Sequence, residues 1–177
     1  MRKQGIVFGA LLIGMLFVLA GCAGGNKGQA EVDVSDILTA VQEAYGEDYL
    51  PDTDLDESMF SDRYGIDLTH VEAYVAQMPM ISAHPDQVVI VKAKEGKGEE
   101  IETQLKSVQK VLQEDSFQYP ANMPKVNASQ VVRNGDYVAF LLVGAVNEDL
   151  DSSEEDQLAF AKEQTQKAVD AFQSFFE

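Results

Sequence analysis

One thiol (Cys22), two imidazoles (His70 and His84) and thirty carboxylates bound the chemistry open to this 177-residue chain. No H-E-x-x-H or C-x-x-C brings metal ligands together, and no G-x-S-x-G marks a serine nucleophile. Both histidines therefore read as surface or structural residues, His84 in a His84-Pro85-Asp86 turn. Asp52, Asp54 and Asp56 have the D-x-D-x-D spacing that surrounds a hard cation with oxygens. The pattern then departs from a calcium loop, with Glu57 where the turn needs Gly and Arg63 where a bidentate Glu is needed. These three aspartates are weak cation-binding candidates. Paired carboxylates could also hydrolyse glycans, but the chain has no Trp for a sugar platform. No catalytic residue, metal or cofactor is assigned.

Cys22 is better placed for attachment than for catalysis. Arg2 and Lys3 precede an apolar run from Ile6 to Leu19, shorter than the roughly 20 residues of a spanning helix. The run ends in Leu19-Ala20-Gly21-Cys22, which resembles the lipobox of bacterial lipoproteins. That resemblance implies a diacylglyceryl group on the Cys22 sulfur and removal of residues 1–21 as a signal peptide. One acyl chain holds a protein to a bilayer only reversibly, whereas two hold it firmly.

Cleavage there leaves 156 residues, enough for one domain with a real core. The mature chain has 11 basic and 30 acidic residues, a net charge of −19. Such a balance argues against nucleic acid or an anionic lipid surface as a partner. Residues 22–32 are Gly-rich and polar, a tether reaching roughly 17 Å. That exceeds a Debye length of about 8 Å, so an acidic domain can hang clear of the membrane.

The domain, 33–177, opens with helical patterns. Ser35 to Tyr45 is amphipathic and stops at Gly46; Asp56 caps a short helix ending at Gly65. Asp67 is expected to cap a third helix, with Val71, Tyr74, Val75 and Met78 on one face until Pro79. The period then changes. Met80 to Ala83 reads as a short strand, and Val88 to Val91 as a strand covered on both faces. Ile101, Leu105, Val108 and Leu112 mark a helix to about Glu114, and Phe117 to Lys125 an irregular connection. Ala128 to Arg133 and Tyr137 to Gly144 read as strands around Asn134-Gly135, a hairpin signal. A capping box at Ser152/Glu155 or Ser153/Asp156 starts a last helix, whose Leu158, Ala161, Thr165, Ala168, Phe172 and Phe175 form one stripe. The expected fold is α+β: an antiparallel sheet of about four strands in a β-β-α-β-β core. N-terminal helices and a C-terminal helix lie mostly on one face, giving two layers.

Several stretches carry a family resemblance. They include Tyr45-Gly46-Glu47-Asp48-Tyr49-Leu50-Pro51, Met78-Pro79-Met80-Ile81-Ser82, Gln118-Tyr119-Pro120 and Val131-Val132-Arg133-Asn134-Gly135-Asp136-Tyr137-Val138. Together they resemble a family of lipoproteins from clostridia and related Gram-positive bacteria, known as a domain of unknown function. The resemblance covers roughly Ser35 to Gly144 and implies a surface lipoprotein, with no catalytic residues to carry over. The expected function is a lipid-anchored, extracytoplasmic binding module on the cell membrane. It is attached through Cys22 and engages an envelope protein or ligand; the alternative is an envelope hydrolase using carboxylates. Cys22→Ser is expected to abolish incorporation of labelled fatty acid and to leave unprocessed or released protein. Unchanged membrane retention would overturn the lipidation reading.

Overall fold

The computed structural model describes residues 31–81, 84–114, 118–149 and 151–177. Among these residues, five helices surround a five-stranded antiparallel sheet. The helices are α1 (Val34–Tyr45), α2 (Glu57–Tyr64), α3 (Gly98–Glu114), α4 (Met123–Ala128) and α5 (Glu154–Gln173). The strands are β1 (Thr53–Asp54), β2 (Val71–Met78), β3 (Gln87–Ala93), β4 (Gln130–Asn134) and β5 (Tyr137–Leu142), in the order β1-β2-β3-β5-β4.

Local chemistry sets most helix ends. Asp33 caps α1 by accepting from the Ser35 N–H, and Gly46 closes it at φ 55°. Asp56 accepts from the Met59 N–H at 2.8 Å to start α2. At α5, Ser153 Oγ accepts from the Asp156 N–H and donates to the Asp156 carboxylate, so the two residues of the expected box meet through their side chains at the helix start.

The sheet departs from expectation in three places. The stretch after Asp67 is a 3-10 turn, Leu68–His70, followed by strand β2 rather than a helix. Val71, Tyr74, Val75 and Met78 fit a helical period, but the same segment also satisfies period two. Tyr74, Ala76 and Met78 face one side of the sheet, while Ala73 and Val75 face the other. Pairing with β3 across six registered positions decides between them. Met80 and Ile81 are then not strand, and residues 82 and 83 lie outside the described residues. The β-β-α-β-β order survives with its first strand moved upstream. The fifth strand, β1, is a two-residue edge inside the acidic stretch, paired with the end of β2. The connection after α3 also holds a 3-10 turn, Pro120–Asn122, and helix α4 where irregular chain was expected.

The expected two layers are three. Val88, Ile90, Ala139 and Leu141 join α1 and α5 in one core cluster. Val89, Val91, Val138, Phe140 and Leu142 join α2, α3 and α4 in another. Strands β3 and β5 are apolar on both faces, so a bare side would leave a large hydrophobic surface in water. The aromatic stripe of α5 is spent in this way, with Ala161, Thr165, Ala168 and Phe172 buried.

The β4–β5 hairpin turns on Gly135 and Asp136, with Gly135 at φ 59°, one residue later than an Asn-Gly centre. Its Asp136 carboxylate accepts from the Gly96 and Gly98 N–H groups, each at 3.0 Å, tying the hairpin to the start of α3. Phe140 is fully buried at the middle of β5. Phe140→Ala is expected to lower unfolding stability by about 3–5 kcal/mol in a urea titration. A loss below about 1 kcal/mol would contradict the close packing of the α2–α4 side.

Candidate functional site

At one end of the sheet, where β2 stops and β3 starts, the chain leaves a groove. Met78 ends β2 because Pro79 has no N–H to continue the ladder. The turn that follows projects Met80 and Ile81, which are 68% and 60% exposed. The opposite wall is the C-terminal half of α3, where Gln104, Ser107, Val108 and Val111 fall on one helical stripe. The C-terminal end of α2 supplies Arg63 and Tyr64, and Gly65 turns the chain away at φ 64°.

Two clefts, each of about 570 Å³, meet at Arg63, Gln87 and Leu112. That size suits a ligand site. One runs between α2 and α3; the other runs beneath Met80 and Ile81 to Tyr119, which is 62% exposed. Seven large apolar side chains are exposed among the described residues, and four of them (Met80, Ile81, Val111 and Tyr119) line this groove. Single exposed apolar residues need no explanation, but a cluster around a cleft marks a binding surface.

The floor is polar and ordered. Tyr64 Oη donates to Gln87 Oε1 at 2.8 Å, and Gln87 Nε2 donates to the Pro85 carbonyl at 3.2 Å. Burial pushes the Tyr64 hydroxyl up to about 12, opposed by neighbouring Arg63. Tyr64 is thus a neutral hydrogen-bonding strut at physiological pH.

Behind the floor lies an ion pair that sequence reading missed. Asp86, fully buried, contacts Lys125 of α4, itself 93% buried at its side chain; His84 Nδ1 stands 3.7 Å from the same carboxylate oxygen. Burial raises the Asp86 carboxyl above its ordinary range, while Lys125, His84 and the Gly144 backbone pull it back. The pair links the start of β3, α4 and the exit of β5, and it holds the His84-Pro85 wall of the groove. Its signals were an Asp in a turn and a Lys 39 residues later, which nothing local connects.

The sequence-predicted residues lie elsewhere. Cys22 falls outside the described residues. Asp52 accepts from Thr53 Oγ1, Asp54 accepts from Gln77 Nε2 at 2.7 Å, and Asp56 caps α2. Among the described residues no three His, Cys, Asp or Glu side chains form a group able to hold a metal ion. His70 Nδ1 lies 3.0 Å from Glu100 Oε1, joining the turn before β2 to the first turn of α3. His84 lines the groove.

Residues 44–143 match a family described as Domain of unknown function (DUF4358). The chain belongs to this family. No curated protein and no solved structure matches the chain. The matched segment contains the whole sheet, α2, α3, α4 and every residue lining the groove; α5 and all but the last two residues of α1 flank it. Two stretches that carried the resemblance, Met78–Ile81 and Gln118-Tyr119, meet in this groove.

Removing Lys125 leaves a buried carboxylate without its cation. Lys125→Met is expected to cost about 3–5 kcal/mol at neutral pH, and adding Asp86→Leu should recover much of it. A carboxyl whose folded value is raised stabilises fully below its unfolded value, near 3.9, and less as pH rises through the folded one. The deficit of Lys125→Met should therefore shrink as pH falls from 7 toward 4, read from urea midpoints across that range. A pH-independent deficit would contradict an ionised Asp86 as its cause.

Proposed function

We propose that this chain is a lipid-anchored, extracytoplasmic binding module that engages another envelope component through the groove at the β2–β3 end. The observation that carries the reading is the clustering of Met80, Ile81, Val111 and Tyr119 around one cleft system with Arg63 at its centre. Attachment through Cys22 rests on the leader and its Leu-Ala-Gly-Cys ending, and on the resemblance to lipoproteins of clostridia and related bacteria.

Domain polarity supports the same reading. Val32 exchanges hydrogen bonds with the Tyr137 hydroxyl, and Glu31 pairs with Lys92. Lys92 and Tyr137 are partners at the end of the sheet opposite Gln87 and Leu142. Five residue steps along β3 separate the two ends, about 17 Å. A chain tethered at residue 31 thus presents its groove away from its attachment point.

The hydrolase alternative needs two carboxyl groups facing one cleft at roughly 5–10 Å. The groove lining includes one, Asp62, while the nearby Asp86 is buried against Lys125. A photo-crosslinking residue at Ile81 in intact cells is expected to give a discrete adduct, absent when the probe replaces exposed Lys162 on α5. Equal adducts at both positions, or turnover of envelope glycans lost on Asp62→Asn, would overturn the reading.

A further inference from the structure

The groove is not uniformly greasy, and its polar groups restrict what can fill it. Gln104 Oε1, on the α3 wall, is buried and accepts no hydrogen bond. A buried acceptor left open costs free energy until a donor reaches it. Arg63 sits where the two apolar clefts meet, and among the described residues no carboxylate lies within ion-pairing distance of it. Its side chain hydrogen-bonds the neutral Tyr64 hydroxyl, which leaves the positive charge without a counterion in a chain of net charge −17. Its neighbour Asp62 lines the first cleft with it.

Resting on the binding-module reading above, we infer that the groove takes an apolar peptide segment of an envelope protein, with an acidic side chain placed against Arg63. Apolar side chains on either side of the acidic residue fill the two clefts, and a peptide N–H satisfies Gln104 Oε1. A fatty acid offers apolar length and a carboxylate but, once ionised, no donor for Gln104. The groove also lies at the end of the sheet remote from Glu31, away from a bilayer reached through the tether. A peptide meets the three requirements of apolar arms, a central carboxylate and a donor.

The test is titration of the ¹⁵N-labelled mature chain without its first residue, Cys22 (residues 23–177), with two synthetic peptides. These are acetyl-Leu-Val-Glu-Leu-Phe-amide and its Glu→Gln counterpart, with sodium laurate as a third probe. The expected result is chemical-shift change at the Tyr64, Gln87 and Leu112 amides, with the Glu peptide binding about tenfold tighter than the Gln peptide. Arg63→Met should erase that difference, and Asp62→Asn should strengthen the Glu peptide. Equal binding of the two peptides, or an Arg63→Met variant that still prefers Glu, would overturn the inference. So would laurate displacing the Glu peptide at equal or lower concentration, which would assign the groove to acyl chains. If neither peptide shifts groove amides while the Ile81 crosslink in cells persists, the peptide assignment fails and the binding module stands. Loss of both would remove the module reading as well.

Discussion

Strands β3 and β5 carry apolar side chains on both faces, and the rest of the domain is arranged to keep both faces dry. Val88 and Ile90 alternate with Val89 and Val91; Ala139 and Leu141 alternate with Val138, Phe140 and Leu142. Antiparallel sheets commonly leave one face to water, but a continuous apolar strand removes that option. Two helices, α1 and α5, cover one side, and α2 and α3 cover the other; α4 adds Val126 to that second side while packing against α5. The division follows chain position. The family-matching segment brings its own sheet and one helical layer, while the second layer comes from its flanks.

The groove is a by-product of how these layers end. α2 and α3 cover the sheet but leave a cleft between them at the β2–β3 end, where Pro79 stops the ladder and Met80 and Ile81 stay exposed. The buried Asp86–Lys125 pair fixes that end by joining three elements at one carboxylate. A buried pair is an expensive way to gain stability, because both ions lose their water. Its use here is positional: it holds the His84-Pro85 turn against α4 and so keeps one wall of the groove in place.

Helices announced by caps were legible from the chain alone. Asp56, Gly65, Gly46 and the Ser153–Asp156 box act within a few residues, so their chemistry is written locally. Strand β2 was not legible, because Val71, Tyr74, Val75 and Met78 satisfy both periods and only pairing with β3 breaks the tie. Helix α4 was hidden by Pro120 and Pro124, which suggest irregular chain but are also tolerated at a helix start. The acidic D-x-D-x-D run drew attention through its spacing, yet the fold uses its members separately, as a side-chain acceptor, a Gln77 partner and a helix cap.

By itself the amino-acid sequence determined the apolar N-terminal run and its single cysteine, the strongly acidic balance, the capped helices, the hairpin and the buried character of the central strands. Each depends on composition or on residues a few positions apart. Only tertiary structure decided the three-layer arrangement, the identity of β2, the Asp86–Lys125 pair and the groove. Arg63, Met80, Val111 and Tyr119 belong to four separate segments, and no pattern along the chain relates them. Their meeting depends on how far two helices extend over one end of a sheet, which is a property of packing rather than of neighbours in sequence.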